Sequence, residues 1–170
     1  MKNQFRETMN DYRGSGGRTD VMRVYLDNCC FNRPYDDQSQ IRISLETQAK
    51  LYVQDLIKNK ELELVASYML RFENEQNPYE IRRQAITEYI RNNTSVYIDH
   101  DKMEEVLKEA TSIMETGIKK KDAIHVACAI LAGCDCFLTT DIRLLKYKTN
   151  KIIVETPVDF IQRLEGEQDG

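Results

Sequence analysis

Five short runs of strand-forming residues alternate along this chain with longer stretches of helical period. That alternation restricts the fold more than any single motif does. Val24, Tyr25 and Leu26 form a first run, too short to be a convincing helix. Further strands are predicted over 61–66, 95–98, 135–138 and 151–154. Between them apolar residues recur at helical spacing, as Ile41, Leu45, Leu51, Tyr52 and Leu56 do over 40–59. Helices are predicted there, over 67–75, from Pro78 to Asn93, from Asp101 to about Gly117, over 119–131, over 142–145, and from Pro157 onward. Asp36, Asp37 and Ser39 offer caps for the first helix, Ser67 starts the second, Asp101 caps the fourth, and Gly133 ends the fifth. Strands alternating with helices imply an α/β fold, a parallel sheet with helices on both faces.

At 170 residues the chain is long enough for one domain with a real core. Residues 1–21 are polar, hold Gly14, Gly16 and Gly17, and carry no apolar period. They read as a disordered tail, with the folded unit spanning 22–170 from Met22. Hydrophobic content of 41% and charged content of 31% describe a soluble globular protein. No apolar run is long enough to span a membrane, and residues 1–10 lack the apolar core of a secretory signal. A net charge of −4 argues against broad coating of nucleic acid while leaving room for a local basic strip. The five cysteines are odd in number and two are adjacent, so they read as reduced thiols in a cytoplasm. Cys134-Asp135-Cys136 has the wrong spacing for a zinc knuckle.

The chemistry collects at the strand ends. Asp27 and Asn28 follow the first strand directly, where ligands gather in an open α/β sheet. Glu73 lies on the helix after the second strand, Asp122 in the first turn of the helix leading to the fourth, and Asp141 just past the fourth. Singly, each has a plainer explanation: Asp27 as an Asx turn, Asp122 as an N-terminal helix acid, Asp141 as a cap and Glu73 as a solvated acid. Asp122, however, opens the apolar segment 123–130, and a charge at the rim of a buried helix needs a partner or a metal. Together the four fit one chemistry. Carboxylates converging on a cleft bind Mg2+ or Mn2+, hard cations that prefer oxygen ligands, and such ions activate water against a phosphodiester.

The Tyr-Leu-Asp-Asn opening, Glu73 after Ser67, Lys-Asp-Ala-Ile-His-Val-Ala around Asp122, and Leu-Thr-Thr-Asp ending at Asp141 resemble the PIN-domain (VapC-like) family. These are metal-dependent ribonucleases that include the toxins of many toxin–antitoxin pairs. The resemblance covers Met22 to about Leu164. It implies a three-layer PIN-like fold with a parallel sheet in order 3-2-1-4-5, and catalytic, metal-holding roles for Asp27, Glu73, Asp122 and Asp141. It also implies Mg2+ or Mn2+ as cofactor, Asn28 and Thr139 as supporting residues, RNA as substrate, an antitoxin protein as partner, and a homodimer. His125 departs from the pattern, standing where the family commonly has a small residue. Lys119, Lys120 and Lys121 before Asp122, and Arg82 and Arg83 on a nearby helix, are candidate RNA contacts, although most charge runs are no more than a solvated face.

Other α/β readings fit less well. A receiver domain wants a pair of acids after strand one, but Asn28 follows Asp27. A haloacid-type phosphatase wants Asp-x-Asp, and the third position here is Cys29. A dinucleotide fold wants a glycine-rich first turn, which Asn28-Cys29-Cys30 is not. The rival of a different class is a non-catalytic PIN-fold RNA-binding or scaffold module; retention of all four acids favours the enzyme.

Overall fold

Val24, Tyr25 and Leu26 are apolar without alternation, and a strand of that kind is stable only where both of its faces are covered. The computed structural model, which describes residues 21–169, puts them at the centre. Strand β1 (Arg23–Leu26) pairs in parallel with β2 (Glu63–Ser67) on one side and β4 (Cys136–Leu138) on the other. Strand β3 (Thr94–Ile98) lies outside β2 and β5 (Ile153–Glu155) outside β4, giving the order 3-2-1-4-5. The three inner strands are almost wholly buried, whereas β3 alternates between exposed and covered positions as an edge strand should. The tail expected over 1–21 falls, apart from Val21, outside the described residues.

Helices make the crossovers. A short α1 (Asn28–Asn32) and a 3-10 turn (Arg33–Tyr35) leave β1, and α2 (Ile41–Lys58) returns the chain to β2. Two helices, α3 (Tyr68–Glu75) and α4 (Glu80–Asn93), link β2 to β3. Next come α5 (Met103–Met114) and α6 (Lys120–Leu131), which pack along each other, with α6 also against β2 and β4. Ala123, Ala127 and Ala129 are fully buried on α6, and side chains that small let the helix lie close to the sheet. Gly133 ends it with φ +71°, the left-handed conformation that glycine adopts without a Cβ clash. The one-turn α7 (Ile142–Leu145) follows β4, and α8 (Pro157–Asp169) closes the fold against α2.

Two expected caps are placed differently. Helix α2 starts after Gln40 with no side-chain cap, and Asp37 instead accepts from the Ser39 backbone N–H at 3.0 Å, one turn too early. After β3 the chain tightens into a 3-10 turn (His100–Lys102), so the first free N–H groups fall next to Asp99 rather than Asp101. Asp99 Oδ1 accepts from the His100 N–H at 2.7 Å. Ser67, by contrast, caps α3 as expected, its Oγ accepting from the Leu70 N–H at 3.2 Å.

The turn after α1 is held by charge. Arg33 and Arg42 donate through Nε to the two oxygens of Glu46, at 2.6 and 2.8 Å, and Glu46 is buried. A buried acid is tolerable when both oxygens are matched in this way. Lys50, one helical turn further along α2, is less well placed. It is 5% exposed, and its ammonium stands 5.6 Å from the centre of the Phe31 ring. Burial pulls its pKa from 10.5 down to about 8, against a small opposing pull from Cys30. At about 1.4 kcal/mol for each pH unit between those values, the charged form costs the fold on the order of 3 kcal/mol. That cost is carried in full below about pH 8 and fades as the pH rises towards 10.5, where the unfolded chain also loses its proton. Lys50→Met is therefore expected to be more stable than wild type at neutral pH, with the gap narrowing in alkaline buffer. Paired denaturant melts across that range check it; a gap independent of pH would assign the gain to packing instead.

Candidate functional site

Parallel pairing brings the ends of β1, β2 and β4 to one edge, and the side chains just past them make the site. Asp27 is the first residue after β1 and is buried. Its Oδ1 accepts from the Asn28 N–H at 2.8 Å, which makes it the cap of α1. Its Oδ2 accepts from Thr139 Oγ1 at 2.9 Å and from the Cys29 thiol at 3.4 Å. Thr139, fully buried past β4, also accepts from the Asp141 N–H at 3.1 Å. Asp141 caps α7 by accepting from the Arg143 N–H at 2.9 Å. The local explanations for Asp27 and Asp141 thus hold, and the same bonds tie the two loops together.

Glu73 projects from α3 with a side chain 20% exposed, and its Oε1 meets His125 Nε2 at 2.6 Å. His125 sits on α6 with no exposed surface. Its Nδ1 lies 2.6 Å from the Tyr25 hydroxyl, which lies 2.6 Å from Ser67 Oγ. Tyr25 reaches α6 because it shares a sheet face with Phe137, its register partner on β4, whose ring stacks on it at 5.2 Å. An ionised Glu73 only accepts, so Nε2 carries a hydrogen. With His125 neutral the chain runs one way: Ser67 donates to Tyr25, Tyr25 to Nδ1, and Nε2–H to Glu73.

Charge follows the same lines. Burial works against a charged His125, but the bond to Glu73 and the carboxylates of Asp27, Glu73 and Asp122 outweigh it and raise the imidazole above its ordinary value. For Glu73, burial acts upward, while His125 and Lys121 pull harder and leave the carboxyl below its usual range. Asp122 is pushed the other way. Half-buried in the first turn of α6, it is held above the ordinary aspartate value by burial and by the charges of Asp27 and Asp141, with Glu73 adding to them. The acids therefore share one electrostatic field. They do not form a ready chelate, because among the described residues no group of three His, Cys, Asp or Glu side chains is placed to hold a metal ion. Glu73 is turned to His125, and Asp27 is hydrogen-bonded to Thr139 and Asn28.

The basic residues divide. Lys119 shares a cleft of about 560 Å³ with Asp122, Asp141, Arg143, Lys146 and Lys148. Lys120 is exposed on α6, and the Lys121 ammonium stands 5.9 Å from the Phe72 ring centre. Arg83 donates to the Asn77 carbonyl at 2.8 Å, whereas Arg82 lies over two exposed tyrosine rings. Asn28 lines a second cleft together with Glu73. Sequence reasoning took Tyr25 as a strand former and Ser67 as a helix start, and passed over Arg143, Lys146 and Lys148. The one visible signal was a histidine inside an apolar helix.

The PIN domain model matches residues 24–150, so the chain belongs to the PIN-domain family. No curated protein matches it. Among solved structures it is similar to the crystal structure of VapBC2 from Rickettsia felis bound to a DNA fragment from their promoter. That match has 14% identity and a TM-score of 0.49, and it covers 79% of this chain and 98% of the other.

Asp122 generates a test. Its folded-state pKa is raised, so the fold gains from protonation at low pH and loses that gain as the pH rises through the folded value. Asp122→Asn removes the repulsion and keeps the shape. It is expected to melt at or above the wild-type temperature at neutral pH, with the advantage gone in acid, where both proteins are neutral at this position. Melts as a function of pH decide it; a clear loss of stability at neutral pH would make Asp122 a simple N-terminal helix acid.

Proposed function

We propose that this protein is a Mg2+- or Mn2+-dependent endoribonuclease whose site is built from Asp27, Glu73, Asp122 and Asp141, with Asn28 and Thr139 supporting them. Family membership supports a nuclease. The observation that carries the reading is geometric: Asp122 and Asp141 line one cleft, and Thr139 bonds both the Asp27 carboxylate and the Asp141 N–H, so Asp122 sits in the field of both acids. Such a field favours a cation, and all four donors are carboxylates, which suits hard ions over zinc. The chemistry that ion supplies is activation of water and neutralisation of charge on the phosphodiester. The protein's own part is positional. Thr139 and the Asn28 N–H fix the Asp27 carboxylate, His125 fixes Glu73, and the lysine- and arginine-lined cleft beside Asp122 and Asp141 matches a phosphate backbone.

A cytoplasmic setting is supported by the five free thiols, four of them buried. A homodimer and an antitoxin partner belong to the same reading. Ile41, Leu45 and Tyr52 are exposed at helical spacing on α2, a stripe that a protein partner would cover.

Wild type is expected to degrade a mixed RNA pool in Mn2+, and Asp122→Asn to leave the pool intact while remaining folded. Mn2+ is expected to raise the wild-type melting temperature by mass action and to act far less on the variant. RNA binding without cleavage at any Mn2+ or Mg2+ level would replace the enzyme with the RNA-binding module.

A further inference from the structure

Beside Glu73, in a cleft that shares no lining residue with the basic one, two loops distant in sequence bring an aromatic surface to the site. Tyr35 ends the turn after α1, and Tyr79 is the residue before α4. They are 44% and 60% exposed. The Arg82 guanidinium lies 4.6 Å from the centre of the Tyr35 ring and 4.3 Å from that of Tyr79. Among the described residues Arg82 pairs with no carboxylate. Tyr79 and Arg82 open onto a cleft of about 290 Å³ whose other walls include Asn28 and Glu73.

We propose that Tyr35, Tyr79 and Arg82 form a stacking subsite for one unpaired nucleobase of an RNA strand whose phosphodiester lies at the acids. The proposal rests on the nuclease reading for its direction, since it places the base on the Glu73 side of the cut. Flat, exposed rings beside a planar cation are what a single strand uses, because an unpaired base offers a π face that a duplex hides. Arg82 can stack on a base and still face its phosphate. Continuity with Glu73 and Asn28 favours a nucleobase over a protein side chain as the occupant.

The subsite is held ready. Asn77 Oδ1 accepts from the Tyr79 N–H at 3.1 Å, Asn77 Nδ2 donates to Asn32 Oδ1 at 3.1 Å, and Arg83 grips the Asn77 carbonyl. Asn32 in turn donates to the Asn28 carbonyl at 3.0 Å. A loop fixed before binding loses little freedom on binding. These amides spend their hydrogen bonds on one another, so little is left to read a base edge. The subsite should accept any base and discriminate against paired strands.

The test is fluorescence anisotropy in metal-free buffer at low salt, where binding is read without cleavage. The probes are a short labelled oligoadenylate RNA, the same oligomer with abasic residues, and a duplex of equal length. Stacking lost at one base corresponds to roughly 5- to 150-fold in affinity. Tyr79→Leu is expected to weaken oligoadenylate binding within that range, and Tyr79→Phe to bind like wild type. The abasic oligomer should bind Tyr79→Leu and wild type equally, and the duplex should gain nothing from Tyr79. The proposal is overturned by unchanged oligoadenylate binding in Tyr79→Leu, by an equal loss for the abasic oligomer, or by a wild type that binds none of the three. Tyr79-dependent binding in a protein that cleaves nothing in Mn2+ sinks the nuclease reading and leaves the subsite standing. Cleavage with Tyr79-independent binding sinks the subsite alone.

Discussion

Because β1 pairs in parallel with both β2 and β4, the chain leaves all three strands in the same direction, and their loops emerge at one edge of the sheet. Asp27, Ser67 and Thr139 are the residues at those three exits. None of them needs a special loop to reach the others; the register does it. Leu26 faces Leu138, so the next residues on each strand, Asp27 and Thr139, fall within a hydrogen bond of one another. A one-residue slip of that pairing would turn Tyr25 to the opposite face and break its bond to His125 as well.

Buried polar groups need partners, and here the partners are each other. Tyr25, Ser67 and His125 would each be expensive alone in so apolar an interior. Joined end to end they satisfy one another and deliver the free end of the chain to Glu73 at the surface. Glu46 follows the same rule in α2, matched by Arg33 and Arg42. Lys50 is the exception in α2, with its ammonium over a phenyl ring and a depressed pKa as the physical trace of that placement.

The strand and helix sequence was legible from apolar spacing, and the strand order from the family resemblance, because both depend on patterns that survive without contact information. The misread caps show where such patterns stop. Whether Asp99 or Asp101 caps a helix depends on where β3 stops and whether the first turn is 3-10 or α, which no local residue type announces. The candidate acids were visible one by one, and their shared field is seen in Asp122. The relay behind Glu73 was not visible, since Tyr25 is 42 residues from Ser67 and 100 from His125 in the chain. Its tyrosine looked like any strand former and its serine like any cap. The Tyr35–Arg82–Tyr79 surface was hidden for the same reason, with only Arg82 noticed and only as a charge.

His125 gives the protein an unusual relation to mutation. It fills space between α6 and the sheet while holding an acid at the site. Selection acting on foldedness and selection acting on chemistry therefore bear on the same atom positions. In a protein built that way, drift cannot relax one requirement and preserve the other at this position. Swapping the histidine for a small side chain would remove one partner of the Tyr25 hydroxyl and leave it bonded to Ser67 alone, while Glu73 would lose the group that holds it. One substitution there would therefore be felt twice, as a void under the helix and as a loosened carboxylate.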